Sequence, residues 1–236
     1  MEIFKAKFIE KIIRTPSVAS FRFAPEKKIE FLAGQFLKIL FDEQDLSGKQ
    51  LNKYLSFSSS PTESYIEVTK RITESDFSGR LRALKKSDQV LFQGPLGKCV
   101  FKPEYRKIVF LIGGIGITPV ISIIEYVFKK KLDNDIVLLY SNKTEEEIAF
   151  KKELDFWRQE ARNVKIYYSL TDCTPKDEKC IYGRIDKGMV QDNVRDIKER
   201  TIFIFGPPRM VEAMQDVCLE LECDKKRVLS ENFIGY

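Results

Sequence analysis

One stretch in the second half of the chain constrains its fold more than any other, because an apolar run, a glycine-rich turn and a helical pattern follow one another without a gap. The run covers residues 108–112, and the turn contains Gly113, Gly114, Gly116, Thr118 and Pro119. The run predicts a buried parallel strand, and Pro119 suits the first turn of a helix. Free N–H groups at such a helix start bind phosphate groups. A tight turn that binds nothing has the same pattern, so both interpretations stay open at this point.

The rest of the second half repeats the alternation of strand-like and helical segments. Strand-like runs cover residues 108–112, 136–140, 164–169 and 201–205, and helical stretches cover 119–131, 145–162 and 208–221. This alternation predicts a doubly wound parallel sheet with helices on both faces. Ligands bind such sheets at the carboxyl ends of the strands, and a second glycine turn, Gly206 with Pro207, Pro208 and Arg209, follows the last run. The two turns together favour a dinucleotide site.

The first hundred residues have a different pattern, typical of antiparallel β structure. Short segments rich in β-forming residues cover 3–13, 18–23, 35–41, 54–58, 65–71 and 89–93. Six strands at this spacing predict a small closed barrel, interrupted by one helix over 78–86 that Ser75 or Asp76 caps. Lys102-Pro103 breaks the pattern. We therefore expect an antiparallel β-barrel domain over residues 1–102 and an α/β domain over residues 103–236.

Composition narrows the possible chemistry. The chain has no histidine, and its five cysteines follow no common metal-binding spacing. Histidine bases and histidine metal ligands are excluded, so we expect no metal site. Reactions that side chains alone cannot perform are assigned to an organic cofactor. Residues 1–100 carry 17 Lys/Arg against 12 Asp/Glu, which is the whole net charge of +5. This excess fits an anionic cofactor, an acidic protein partner or a solvated surface equally well.

Other partners and locations are disfavoured by the sequence. Basic residues are dispersed and not interleaved with aromatic ones, so we expect no nucleic-acid binding. The apolar runs are too short to span a bilayer, and the charged N-terminal segment is unlike a signal peptide. We therefore expect a cytoplasmic protein that does not enter a membrane.

The segment Lys53-Tyr54-Leu55-Ser56-Phe57-Ser58-Ser59 resembles the flavin signature R-x-Y-S-x-x-S of the ferredoxin–NADP reductase superfamily. Together with the motifs below, the resemblance extends over nearly the whole chain. It implies that Ser56 approaches the flavin nitrogen that accepts hydride and that Lys53 faces the cofactor phosphates. It also places Leu55 against the isoalloxazine ring, where the family often has Tyr, with Tyr54 beside it. Without the resemblance, the segment is an ordinary serine-rich strand end.

A second segment is similar to the part of the family that holds the flavin pyrophosphate. It consists of Thr69, Lys70 and Arg71 at a strand end, followed by Asp76, Phe77 and Ser78 at a predicted helix start. A helix start with a hydroxyl group suits phosphate oxygens. The resemblance therefore implies FAD in preference to FMN.

Both glycine turns also match family motifs. Gly113, Gly114, Gly116, Thr118 and Pro119 look like the G-G-x-G-x-T-P loop for the pyridine-nucleotide pyrophosphate, with Thr118 close to the flavin. The later turn resembles C-G-P-P-x-M beside the nicotinamide, with Phe205 in place of the family's Cys. It contributes Gly206, Pro207 and Arg209. The resemblance further implies that Tyr236 stacks on the flavin, although a frayed chain end is an equal alternative.

These resemblances imply an FAD-dependent NAD(P)H oxidoreductase in which Ser56 and Thr118 act at the reacting centre. Ser141 and Lys143 follow the second parallel strand and could bind an extra phosphate, which slightly favours NADPH over NADH. The expected partner is a small electron carrier, ferredoxin or flavodoxin, with electrons passing in either direction. The alternatives are a free-flavin or quinone reductase, a reductase subunit of an oxygenase or larger complex, and a nucleotide-binding regulatory protein without turnover.

Overall fold

The computed structural model describes residues 2–174 and 180–233. The chain divides into two compact units. The first contains the residues up to Phe101 together with Thr118–Tyr126, and the second contains Lys102–Ile117 and the residues from Val127 onwards. Thr118–Tyr126, which the division expected from the sequence assigns to the second domain, is thus grouped with the first.

The first unit is built on a curled antiparallel sheet with the strand order β4-β3-β6-β1-β2-β5. Its two edge strands meet through a bridge between Phe57 and Val68, which confirms the expected six-stranded barrel. A helix, α1, lies between β5 and β6 in the chain and is capped by the Ser75 side chain. The elements are β1 Glu2–Thr15, β2 Val18–Pro25, β3 Phe36–Leu40, β4 Asn52–Ser56, β5 Ile66–Arg71, α1 Asp76–Ala83 and β6 Gln89–Leu96.

The barrel follows from the period of two in its sequence. On β2 and β3, every second side chain points into a core of aromatic and branched residues, and Phe21, Phe23, Leu37 and Ile39 are fully buried there. Polar residues at alternate positions of β2 and β5 carry a hydrogen-bonded network on the other face of the sheet, for example between the Ser20 and Thr69 hydroxyls. The apolar face therefore fixes the register of these strands.

The second unit contains a parallel sheet with the order β10-β9-β8-β7-β11-β12. The chain runs outward from β7 to β10 and then returns to the other side of β7, which makes the sheet doubly wound as expected, with a switch point between β7 and β11. The strands are β7 Lys107–Gly113, β8 Asp135–Asn142, β9 Val164–Leu170, β10 Cys180–Tyr182, β11 Thr201–Gly206 and β12 Val228–Asn232. The helices are α2 Ile117–Lys129, α3 Lys151–Glu160, α4 Lys187–Asn193 and α5 Pro208–Glu220.

The sequence pattern missed three of these elements and misplaced the start of a fourth. β10, α4 and β12 were not expected. The helix expected over 145–162 begins only at Lys151, because a 3₁₀ turn at Glu145–Glu147 comes first and Phe150 then adopts a left-handed backbone with φ of 61°. No helix within the described ranges is both long and apolar enough to cross a bilayer.

Candidate functional site

The predicted flavin motif lies on β4 and on the chain directly after it. Leu55 is 4% exposed and packs in the barrel core, whereas Tyr54 on the opposite face is 57% exposed. The cross-strand pairs agree, because Leu55 lies opposite the core residue Leu37 and Tyr54 lies opposite Lys38. If Leu55 lies against a flavin ring, as the motif predicts, only the small exposed part of its side chain makes that contact. The open aromatic surface of this strand is that of Tyr54.

The two predicted flavin motifs meet in the structure. Ser56 is the last residue of β4 and is 6% exposed. Two residues later, the Ser58 hydroxyl lies 2.7 Å from that of Thr69 on β5, and the Ser58 N–H donates to the Glu67 carbonyl at 2.8 Å. The chain that follows Ser56 is thus hydrogen-bonded to the strand that carries Thr69 and Lys70.

The positive charge of Lys53 acts on the buried Lys70 in this region. Lys70 is 5% exposed, and its ammonium group donates to the Arg71 carbonyl at 2.9 Å. Burial, and after it the positive charge of Lys53, lower the pKa of Lys70. A second positive charge that acts on a buried lysine favours a bound anion, which relieves the repulsion. Arg71, predicted to act with them, donates to the Ser17 hydroxyl at 2.7 Å at the turn between β1 and β2.

Some of the residues predicted to bind FAD at the start of α1 have structural roles, and others are accessible to a ligand. The Phe77 side chain is fully buried, with its ring 5.3 Å from that of Phe41, so a role of Phe77 in FAD binding is restricted to its backbone. Ser78 is also fully buried, and its hydroxyl accepts from Ser75 Oγ at 3.1 Å. Asp76 is exposed and accepts from Gln50 Nε2 at 2.5 Å. The backbone amides of this helix start suit an anion.

In the second unit, both glycine turns lie at the carboxyl ends of β7 and β11, which pair directly. A Cβ on Gly116 would overlap the carbonyl of Phe205, and one on Gly113 would overlap the Met210 sulfur, so these two glycines let the turns touch. Gly114 is different, because its φ is +51° and nothing lies within 4 Å of the position of a Cβ. Gly114 therefore offers the open backbone that a phosphate can approach.

The other predicted residues of these turns differ in exposure. Thr118 is 1% exposed, and Pro119 is likewise buried, in the first turn of α2. Pro207 and Arg209 are exposed at the start of α5, where Arg209 can contact an anionic ligand. Tyr236 lies outside the described residues, which end at Phe233, whose N–H donates to the Gly206 carbonyl at 2.9 Å.

The ends of β8 and β9 form the predicted specificity region. Ser169 Oγ donates to Ser141 Oγ at 3.3 Å, while the Lys143 side chain is exposed. Asn142 is 6% exposed, and its Nδ2 has no hydrogen-bond partner within the described part of the chain. An orphaned buried donor at the carboxyl edge of the sheet is suited to a ligand oxygen.

Asp172 is a residue of this edge that the sequence pattern did not single out. Its N–H donates to the Lys143 carbonyl at 2.9 Å, so an exposed carboxylate lies beside the lysine that was expected to bind a phosphate. Its carboxylate accepts from the Thr171 hydroxyl at 2.7 Å. The signal was present in the sequence, because Asp172 is the second residue after β9, the strand next to β8, and the carboxyl ends of parallel neighbours share one edge.

Comparison with known proteins agrees with this arrangement. The family model for the oxidoreductase FAD-binding domain matches residues 5–101, and that for the oxidoreductase NAD-binding domain matches residues 110–216. NADH-cytochrome b5 reductase 1 of Dictyostelium discoideum is 30% identical over 218 residues, which cover 89% of this chain and 75% of that protein.

Solved structures share the fold at lower identity. The cytochrome b5 reductase domain of Ulva prolifera nitrate reductase superposes with a TM-score of 0.84 at 22% identity, over 98% of this chain and 97% of that chain. A ferredoxin NADP+ reductase from Neisseria gonorrhoeae with bound FAD and NADP gives 0.80 at 19% identity, over 98% and 99% of the two chains.

Proposed function

The chain belongs to the ferredoxin–NADP reductase superfamily and is an FAD-dependent NAD(P)H oxidoreductase, and from this premise we propose that NADH is its donor and a cytochrome b5-type haem protein its acceptor. One observation carries the oxidoreductase activity on which the proposed donor and acceptor depend. A single chain combines a barrel that holds a pair of cations with a parallel sheet whose two glycine turns touch at the switch point. The first feature suits a flavin pyrophosphate, and the second suits a pyridine dinucleotide.

The residues present fit FAD. Lys53 and Lys70 supply two positive charges, and the N-terminus of α1 adds backbone donors, so together they match the two negative charges of a pyrophosphate. Ser56 supplies a hydroxyl group at the end of β4. FAD, when bound, supplies the hydride-accepting and single-electron chemistry that the side chains of this protein lack.

In this proposal the protein's own residues bind and orient the flavin and the nucleotide. Lys53 and Lys70 would hold the pyrophosphate, and the Ser56 hydroxyl would provide a hydrogen bond to the ring nitrogen that receives the hydride. The open backbone of Gly114 lets the nucleotide phosphates approach, and Thr118 in the next helical turn helps to orient the nicotinamide. Such positioning is the main contribution of a protein to hydride transfer.

The donor preference rests on the acidic edge of the sheet. An extra 2′-phosphate on the nucleotide would lie near the carboxylate of Asp172, whereas the ribose hydroxyl of NADH can donate a hydrogen bond to it. Glu145, Glu146 and Glu147 follow Lys143 within four residues of sequence, so this stretch of the chain carries a net negative charge. The carboxylates near this edge therefore favour NADH. This preference replaces the slight preference for NADPH that Ser141 and Lys143 suggested from the sequence.

The acceptor rests on the relatives and on charge. The similar proteins from Dictyostelium discoideum and Mortierella alpina are named NADH-cytochrome b5 reductase. The basic excess of residues 1–100 suits a partner with an acidic face, which electrostatic attraction guides to the barrel domain. We therefore propose cytochrome b5 ahead of ferredoxin or flavodoxin, and a cytoplasmic location for the reaction.

The test is anaerobic reduction of the FAD-loaded protein. We expect NADH to bleach the flavin absorbance faster than NADPH at equal concentration. The reduced protein should then reduce cytochrome b5 faster than ferredoxin or a neutral quinone. If neither nucleotide bleaches the flavin, the proposed activity is wrong. If quinone is reduced fastest and cytochrome b5 hardly at all, the acceptor is wrong.

A substitution tests the donor preference separately. Replacing the carboxylate in Asp172→Asn removes about 1–2 kcal/mol of repulsion towards a 2′-phosphate. The preference for NADH over NADPH should therefore fall by roughly 5- to 30-fold in kcat/KM, since about 1.4 kcal/mol corresponds to a factor of 10. Asp192→Asn, an exposed change on α4, is the matched control and should leave the ratio as it is. An unchanged ratio in Asp172→Asn would remove this residue from the specificity region.

A further inference from the structure

Three consecutive buried serines lie at the end of the flavin motif, and the first two are hydrogen-bonded to β5. We call Ser58, Ser59 and Ser60 the serine strap, and each is at most 2% exposed. The Ser58 hydroxyl lies 2.7 Å from that of Thr69, and the Glu67 N–H donates to Ser59 Oγ at 2.9 Å. The strap thus attaches the end of the flavin motif to the strand that carries Lys70.

The serine strap is also held by two side chains of α2. Ser122, which is fully buried, donates its hydroxyl hydrogen to the Ser59 carbonyl at 2.7 Å. The Ser60 N–H donates to Glu125 Oε2 at 2.8 Å. Both contacts join a side chain to backbone across more than sixty residues of sequence, so local chain geometry does not require them. All of these residues belong to the first compact unit.

The two hydrogen bonds from α2 to the serine strap lie close in sequence to Ser56 and Thr118. Ser59 follows Ser56 by three residues, and Ser122 lies four residues, about one helical turn, after Thr118 on α2. The two hydrogen bonds therefore connect the segment that carries Ser56 to the helical turn that carries Thr118. These are the two residues that the proposed function assigns to the reacting centre.

We propose that Ser122 and Glu125 are positioning residues for hydride transfer, which they support by fixing the serine strap to α2. The inference rests on the proposed function. Hydride transfer requires reacting atoms about 3–3.5 Å apart, and a displacement of about 1 Å can reduce the rate on the order of 100-fold. Two side chains that touch neither cofactor in this proposal thereby control the rate through Ser56 and Thr118.

The decisive variant is Ser122→Ala/Glu125→Ala, with Ser64→Ala/Glu43→Ala as a matched control at exposed positions of the same unit. The first readout needs no cofactor. Hydrogen–deuterium exchange of the peptide that contains the strap should quicken roughly 10-fold or more in the double variant, because the Ser60 N–H loses its acceptor, and should not change in the control.

The second readout is the limiting rate of flavin reduction at saturating NADH in stopped flow. We expect it to fall roughly 10- to 100-fold in the double variant, while the FAD dissociation constant and the NADH concentration for half-maximal rate change by about threefold or less. Glu125→Gln keeps an acceptor oxygen for the Ser60 N–H and should restore most of the rate relative to Glu125→Ala. Single variants provide the same comparison if the double variant folds poorly.

The outcomes separate this inference from the proposed function. If the wild-type protein is not reduced by NADH, the proposed function fails and the inference falls with it. If the wild type is reduced and the double variant has the same limiting rate within about twofold, the positioning role is refuted. A loss of FAD affinity and thermal stability in proportion to the rate also refutes it, because a purely structural contact would have that effect.

Discussion

Two alanine substitutions in the same glycine turn should have opposite effects. Gly116→Ala should mainly lower the melting temperature, whereas Gly114→Ala should mainly raise the NADH concentration needed for flavin reduction. In Gly116→Ala, the new Cβ would lie 2.6 Å from the Phe205 carbonyl carbon and 2.9 Å from the Gly206 nitrogen. These are backbone atoms of a buried strand end, so the two turns must move apart by about 0.5–1 Å to reach ordinary contact distance. Overpacking of this kind costs about 1–3 kcal/mol, and we expect the upper end because backbone cannot rotate away.

Gly114→Ala meets a different obstacle. Nothing lies within 4 Å of its new Cβ, but the residue has φ of +51°, which costs a non-glycine residue about 1 kcal/mol. The melting temperature should therefore fall by about 2–4 °C, against about 6–10 °C for Gly116→Ala. The methyl group on the open side should obstruct the nucleotide phosphates and raise the NADH concentration for half-maximal flavin reduction at least about 10-fold.

Thermal unfolding followed by circular dichroism and an NADH titration in stopped flow test both variants. The reasoning fails if Gly114→Ala lowers the melting temperature more than Gly116→Ala, because the distances predict the reverse order. It also fails if Gly114→Ala leaves the NADH dependence unchanged, since the open side of this residue would then not face the nucleotide.

Four further outcomes are expected. Ser56→Ala should retain FAD but slow flavin reduction by roughly 10- to 1000-fold through loss of one polar group at the reacting centre, and an unchanged single-turnover rate would remove Ser56 from that role. Lys70→Met should weaken FAD binding by roughly 10- to 100-fold, as expected for the loss of a charge-assisted hydrogen bond. Because the pKa of Lys70 is lowered, the wild-type affinity for FAD should fall as the pH rises through that pKa. The Lys70→Arg variant should keep its affinity to higher pH. Parallel pH profiles of the two proteins would contradict the assignment of Lys70 to the pyrophosphate. Reduction of an acidic cytochrome b5 should slow as ionic strength rises while flavin reduction by NADH changes little, and equal salt slopes for cytochrome b5 and a neutral quinone would exclude electrostatic guidance.

The architecture was predictable from the sequence because burial left a regular pattern. The short segments rich in β-forming residues over 18–23 and 35–41 predicted the barrel strands β2 and β3, whose apolar residues Phe21, Phe23, Leu37 and Ile39 are buried in the core. In the second half, four apolar runs predicted the parallel strands, and the glycine turns after two of them, residues 108–112 and 201–205, marked carboxyl ends. Both patterns arise directly from side-chain packing, so a single sequence is sufficient to detect them.

The missed elements depend on tertiary context. β12 contains Glu231 and Asn232 and becomes a strand because it pairs with β11 over five positions. The three adjacent carboxylates of Glu145–Glu147 are in a 3₁₀ turn, and Phe150 adopts a left-handed backbone before α3 begins.

The parts of the site that the sequence did not indicate are long-range contacts. The proximity of Asp172 to Lys143 depends on the pairing of β8 with β9. The contacts of Ser122 and Glu125 with the serine strap join positions 63 and 65 residues apart. Sequence periodicity describes neighbours within an element and contains no information on such pairs.

The grouping of Thr118–Tyr126 with the barrel has a consequence for recombining reductases. A chimera that joins this barrel to the nucleotide domain of another family member at residue 102 would replace Ser122 and Glu125 by the residues of the donor protein. The buried carbonyl of Ser59 and N–H of Ser60 would then lack these partners wherever the other reductase has different residues at the two positions. An exchange that carries residues 118–126 together with the barrel keeps these hydrogen bonds, so the unit suited to transplantation is discontinuous in sequence.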